Sequence, residues 1–311
     1  MNLIHTTIKM KKSFINFEKE VIKKGYPLLE NVSLKEYTSL KIGGNAKFLV
    51  EPKSKEEIIF LLNCAKKYNV PFFIIGNGTN VLAKDEGYNG LIIVTKSNFN
   101  TIKVEGNIIS ALSGVSLIDL CDVAYESSLS GMEQLYGIPG SVGGAIYMNA
   151  GAFNKEIKDV IIECTIVDDK GNIKTINKEK MMLSYRHSVF TNTKDVILEA
   201  KFKLESKDSN SIKKLMDEIL FKRVDKQPLE YPNAGSTFKR PVGYFASALI
   251  EESNLKGYKH HGVMVSDKHS GFLVNYNNGS SAEFLELIEI VKDKVKSDSG
   301  VELECEIEVV E

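Results

Sequence analysis

Two stretches of this 311-residue chain gather backbone amides with little side chain in the way, and the chemistry such stretches serve is phosphate binding. The first is Gly76-Asn77-Gly78-Thr79-Asn80-Val81-Leu82. The second is Gly137-Ile138-Pro139-Gly140-Ser141-Val142-Gly143-Gly144-Ala145. Glycine lets a pyrophosphate approach the main chain, and successive N–H groups form an anion-binding nest. Thr79 and Ser141 add hydroxyl donors. Neither loop is a Rossmann fingerprint: Val81 stands where a third glycine belongs, and the second loop has another spacing. No GK[ST] follows either loop, which removes Walker A. Taken singly, each reads first as a set of tight turns. Two in tandem, about sixty residues apart, point to a nucleotide cofactor.

Positive charge is the second signal. Of 40 basic residues only Arg186, Arg223 and Arg240 are arginine. A chain that writes lysine by default keeps arginine where a planar, two-pronged donor is needed, unless the three are simply solvated surface groups. All three lie between residues 186 and 240, so an anion is expected there. Net charge is −1, which gives no field to draw the chain to nucleic acid or an anionic membrane. Cys64, Cys121, Cys164 and Cys305 are widely spaced in apolar runs and read as buried free thiols. The adjacent His260 and His261 suit a turn better than a metal face, and no metal is expected. No apolar run reaches the ~18 residues of a membrane span, and no signal peptide is visible, so the cytoplasm is the default.

The elements that must hold these residues divide into three blocks: 1–97, 98–207 and 208–311. In the first, a polar, partly helical leader ends in the turn-rich Tyr37–Gly44. A strand stopped by Pro52 follows, then a helix opened by a Ser54/Glu57 capping box and closed by Pro71. Phe72–Ile75 and Leu91–Val94 read as buried strands, with the first glycine loop directly after Phe72–Ile75. The second block is a series of short strands, with a hairpin turn at Asp169-Lys170-Gly171-Asn172 and a helix from Ser116, an antiparallel α+β pattern. Glu205–Ser211 reads as a linker. The third block carries a long helix, a helix at 243–253, the strand GFLVNY, a helix near 281–297 and a final strand. In Val301–Val309 four glutamates alternate with apolar residues, which puts Glu302, Glu304, Glu306 and Glu308 on one solvated face.

The pair IIGNGTNVL and GIPGSVGGAIYMNAGAF resembles the FAD-binding signature of the UDP-N-acetylenolpyruvoylglucosamine reductases. Later segments are similar too: Ser184–Phe190, Ala234–Pro241 and Leu303–Ile307, so the resemblance spans roughly residues 35 to 309. It implies an α+β fold: an FAD-binding domain of the vanillyl-alcohol oxidase/p-cresol methylhydroxylase type in two subdomains, plus a C-terminal α+β substrate-binding domain. It also implies a reaction. NADPH and FAD would reduce the enolpyruvyl ether of a UDP-sugar to UDP-N-acetylmuramate for peptidoglycan synthesis, with small molecules as the partners.

The resemblance also assigns roles. Gly76, Asn77, Gly78, Thr79, Asn80, Val81, Leu82, Pro139, Gly140, Ser141, Gly143 and Gly144 would bind FAD. Arg186 belongs to the active site, where charge developing beside a carboxylate needs a donor placed in advance. Ser236 matches the serine proton donor, although Ala-Gly-Ser-Thr alone is turn chemistry. Glu306 is selected by the closing motif alone. The resemblance places a substrate-binding lysine at or near Lys226; the basic pair Lys239-Arg240 is offered to the diphosphate by its charge alone, since Arg240 stands where a longer branch of the family has asparagine and takes no role from it. Arg223 would serve the diphosphate or, equally, face the dipole of its own helix. The stretch from Ser236 to Glu306 is compact, as in the shorter branch that lacks an inserted substrate-covering loop. A flavin-dependent oxidase of another alcohol or sugar, or a non-catalytic nucleotide-binding protein, are the alternatives.

Overall fold

The structure is a computed structural model that describes the backbone of residues 2–311 and the side chains of residues 12–311. Helix α1 (Asn2–Lys23) leads into β1 (Leu29–Ser33), β2 (Asn45–Val50), α2 (Lys55–Lys67), β3 (Phe72–Ile75), β4 (Val81–Ala83) and β5 (Tyr88–Val94). Four of these strands form a sheet in the order β1-β2-β5-β3, parallel except at β1. Period two sends Phe48, Val50, Leu91 and Ile93 to one core, with α1 and α2, and Leu49, Ile92 and Val94 to another. Burial on both faces is what the unbroken run Leu91–Val94 requires. Ser54 caps α2 by accepting from Glu57 N, but the Glu57 carboxylate returns to Lys53 N, so the expected box closes one residue early.

Next come β6 (Ile102–Glu105), β7 (Ile108–Leu112), α3 (Leu117–Glu126), β8 (Leu129–Ser130), α4 (Val142–Tyr147), β9 (Gly151–Ala152) and β10 (Lys155–Glu156). After these lie β11 (Ile161–Val167), β12 (Ile173–Asn177), β13 (Val196–Lys203) and β14 (Glu205–Ser206). Five strands make an antiparallel sheet ordered β12-β11-β13-β7-β6, and α3 and α4 pack into its core. Ser116 caps α3 and Gly171, at φ +85, makes the β11–β12 turn.

The stretch read as a linker is ordered structure. Glu205 and Ser206 pair with Ser130 and Leu129, and Asp208 caps the long helix α5 (Ser209–Lys226). That helix, grouped by sequence with the third block, buries Ile212 and Met216 in the core of the second.

Helix α6 (Ala246–Glu252) starts later than expected, because Pro241–Phe245 forms a turn around Gly243 at φ +80. Strands β15 (Lys259–His260), β16 (Val263–Val265) and β17 (Leu273–Asn275) follow, then α7 (Ser281–Ser299) and β18 (Glu308–Val310). A Ser280/Glu283 capping box opens α7 and left-handed Gly300 closes it. The expected strand over 301–309 is reduced to β18 plus a bridge between Cys305 and Phe238. Glu302 and Glu304 are exposed, but Glu306 turns inward. Leu40, Ile42 and Leu82 from the first block lie in the core of the third, and β18 pairs in parallel with β4.

Candidate active site

Each glycine loop sits where an element ends. The first follows β3, and Gly78, at φ +66, lies so close to Tyr37 that an added Cβ would stand 2.0 Å from its carbonyl oxygen. The second enters α4. Here the amides are less bare than their composition suggests. Gly143 N–H donates to Ser113 O (2.8 Å), and Gly144 N–H to the Ser141 hydroxyl that caps the helix (3.2 Å). The glycine at 143 is there for packing, since a Cβ would lie 2.9 Å from Ser113 Cβ. The loops touch: Asn77 Nδ2 donates to Pro139 O (2.8 Å), and Gly76 presses on Ser141.

Both loops line one cavity of about 1630 Å³, larger than the ~300–1,000 Å³ of an ordinary small-molecule pocket. Gly76–Val81, Pro139, Gly140, Ser141, Gly143 and Gly144 all face it. Leu82 does not: it is fully buried in the apolar core beneath and holds β4 in place. The cavity fits a dinucleotide. At Gly140 an added Cβ would touch only Ile138 and Thr79, at an ordinary van der Waals distance of 3.9 Å, so nothing in the protein crowds this amide, and Ser113 Oγ is buried without a hydrogen-bond partner. An extended phosphate-bearing ligand satisfies both.

Arg186, Ser236 and Glu306 line the same cavity. Arg186 stands in a tight turn in which Ser184 and His187 exchange two backbone hydrogen bonds, at the left-handed φ of +50. Asn149 bolts that turn to the end of α4. It is fully buried, its Nδ2 donates to Ser184 O (2.9 Å), and its Oδ1 accepts from Lys158 N (3.0 Å). Ser188 Oγ adds a bond to Tyr147 O (2.6 Å). The guanidinium stacks over the Tyr185 ring, its Nε pairs with Glu306 Oε1 at 2.7 Å, and one Nη donates to Gly151 O (3.1 Å). The other Nη is buried without a partner. A buried donor left unsatisfied is costly, so this edge is shaped for a ligand acceptor, and a carboxylate matches it.

Glu306 is brought inward because its N–H donates to Thr237 O (2.8 Å), next to Ser236. Burial pushes its carboxyl above the ordinary glutamate range, and Arg186 only partly offsets this. Gly235, at φ +76, and Asn233, whose Oδ1 accepts from Gly235 N, set the turn that presents Ser236. The Ser236 hydroxyl bonds none of the described residues and faces the cavity.

The three substrate candidates are not brought in. Lys226 is exposed, Lys239 pairs with Glu304 (2.5 Å), and Arg240 covers the Phe245 ring at 4.6 Å, all outside the cavity lining. Arg223 is buried at the cavity wall and bonds carbonyl oxygens of the second block, so it is not a solvated charge at a helix end. Reading the sequence missed Asn149 and Ser113. Asn149 lies within the quoted stretch YMNAG, but nothing local marks its distant partner.

Fold and cavity together define an FAD-dependent enzyme with a separate substrate domain. A family model described as an FAD binding domain matches residues 46–177, and one described as the UDP-N-acetylenolpyruvoylglucosamine reductase C-terminal domain matches 227–310. The UDP-N-acetylenolpyruvoylglucosamine reductase of Clostridium novyi is 46% identical over 95% of this chain and 96% of its own. That of Geobacillus thermodenitrificans is 44% identical over 91% and 93%. The crystal structure of the Thermus caldophilus reductase superposes with a TM-score of 0.78 at 31% identity, covering 92% of this chain and 99% of that one. The chain belongs to the UDP-N-acetylenolpyruvoylglucosamine reductase family.

Proposed function

We infer that the chain reduces the enolpyruvyl ether of UDP-N-acetylglucosamine to UDP-N-acetylmuramate, with FAD as cofactor and NADPH as reductant, for peptidoglycan synthesis. The observation that carries this reading is the Arg186–Glu306 pair at the wall of the cavity that both glycine loops line, with one buried guanidinium nitrogen left without a partner. The chemistry that bound FAD supplies is hydride transfer from NADPH to the vinyl carbon distal to the ether. Gly76–Val81, Pro139, Gly140, Ser141, Gly143 and Gly144 would hold the cofactor.

The protein's own part is electrostatic and protonic. Hydride arrival puts negative charge on the ether-bearing carbon and into its carboxylate. Arg186, fixed beforehand by Glu306, Gly151 O and the Tyr185 ring, offers that carboxylate a donor without reorganisation. Ser236, presented by the Gly235 turn, would give the proton to the same carbon. Lys226, Lys239 and Arg240 are not assigned a direct part, because none of them lines the cavity.

Among the described residues no helix is long and apolar enough to cross a membrane. The four cysteines are free, three of them buried, which suits a reducing compartment, and we place the enzyme in the cytoplasm. An oxidase of the same fold is not favoured, because the similarity to reductases extends through the substrate domain. The test is anaerobic. NADPH should bleach the flavin absorbance of the purified protein, and UDP-N-acetylglucosamine enolpyruvate should restore it. A flavin that reoxidises with oxygen but ignores the UDP-sugar would refute the reading. Near-normal turnover in both Arg186→Ala and Ser236→Ala would refute the roles.

A further inference from the structure

Arg223 is a cation with no ordinary reason to be buried. It is 6% exposed, near the end of α5, and no carboxylate among the described residues pairs with it. Removing a guanidinium from water without a counter-ion is expensive, so its contacts must be specific. Its Nε donates to Tyr136 O (2.8 Å) and one Nη to Gln134 O (3.4 Å). Both carbonyls belong to the short turn of helix that feeds directly into Gly137–Gly144. The Arg223 stem lies under the start of that loop, where a Cβ on Gly137 would stand 2.8 Å from Arg223 Cδ. On its other side the guanidinium covers the Phe153 ring at 5.3 Å. Phe153 is in the tip between β9 and β10, the hairpin whose Gly151 carbonyl accepts from Arg186.

We propose that Arg223 is a positioning residue that clamps the second flavin loop to α5 and, through Phe153, steadies the hairpin on which Arg186 rests. Its work is geometric. A planar fork can reach the carbonyls of Gln134 and Tyr136 together while its stem packs on a glycine, and an ammonium cannot do all three. The proposal deepens the reading of the cavity as an FAD site and does not depend on which substrate is reduced.

The experiment titrates FAD into apoprotein by fluorescence quenching, for wild type, Arg223→Lys, Arg223→Met and Gly137→Ala. Circular dichroism melting of each apoprotein is measured alongside. Arg223→Lys and Arg223→Met should both raise the FAD dissociation constant roughly 10- to 100-fold, with the lysine giving no rescue. If Arg223 acted only as a positive charge for an anionic ligand, Arg223→Lys would bind within twofold of wild type while Arg223→Met would not, and the proposal is overturned. Gly137→Ala disturbs the same contact from the loop side and should weaken FAD similarly. Should the Arg223 variants fail to fold, unchanged FAD affinity in Gly137→Ala overturns it. Normal FAD binding in wild type without turnover of the enolpyruvyl substrate counts against the reductase reading alone.

Discussion

Glu306 has two jobs that pull its proton in opposite directions. Burial raises its pKa, yet the charge pair with Nε of Arg186 needs the ionised carboxylate. Protonation weakens the hold on the guanidinium, so kcat/KM should fall as pH drops through the Glu306 pKa. Because that pKa is raised, the acid limb should sit above the ~4.3 of a solvated glutamate. In Glu306→Gln the limb should vanish and kcat/KM should drop roughly 10²- to 10³-fold at neutral pH. A pH–rate profile that keeps its acid limb in the variant would exclude Glu306 as its source. Arg186→Lys should lose about as much, because one ammonium cannot serve Glu306, Gly151 O and a substrate carboxylate together; steady-state kinetics with a flavin-loaded variant measures it. Arg186 was legible in the sequence through arginine's scarcity. Glu306 was not, since four glutamates alternate identically and only the contact of its amide with Thr237 turns this one inward. Asn149 was illegible for the same kind of reason: it acts on Ser184, 35 residues away.

At the scale of elements, the β11–β12 hairpin shows how a turn can bound a cavity far from the reacting atoms. Asp168 gathers the turn by accepting from Lys170 N, Asn172 N and Lys174 Nζ. These partners hold its carboxyl well below the usual aspartate range, with the Lys174 contact the largest cause. Gly171 then rests against α2, where an added Cβ would meet Asn63 Oδ1 at 2.4 Å while φ is +85. Gly171→Ala should therefore cost about 1–2 kcal/mol from the left-handed backbone alone, with more from the clash. Adding Asn63→Ala should recover the clash but not the backbone strain, so the two effects should not add. Thermal melts of the single and double variants read this directly. This turn and the capped helices were legible because their determinants are local. The final strand was not, because alternation predicts a strand only if a partner lies alongside, and Val301–Ile307 has only the bridge at Phe238.

For the whole molecule, the decisive feature is that the residues lining the cavity come from three blocks whose cores interlock. The first glycine loop ends in β4, and β4 is held from below by Leu82 in the core of α6 and α7 and from the side by β18, two residues after Glu306. Glu308 N donates to Asn80 O (3.0 Å) and Lys84 N to Val310 O (3.0 Å), so the first glycine loop and Glu306 share one support. Leu82→Ala should then do two things at once. It should destabilise the protein by about 2–5 kcal/mol, as a fully buried leucine does when truncated, and it should weaken FAD by loosening the loop that β4 anchors. Val295→Ala, in the same core but on α7, should lower stability too yet leave flavin affinity near wild type at temperatures where the protein stays folded. Flavin titration at a temperature where all three proteins are folded distinguishes the two variants, and in one thermal scan circular dichroism and flavin fluorescence should show coincident transitions for each. A wild type that releases flavin well before its helices melt would show that the blocks come apart separately, and that the shared core does not position the site.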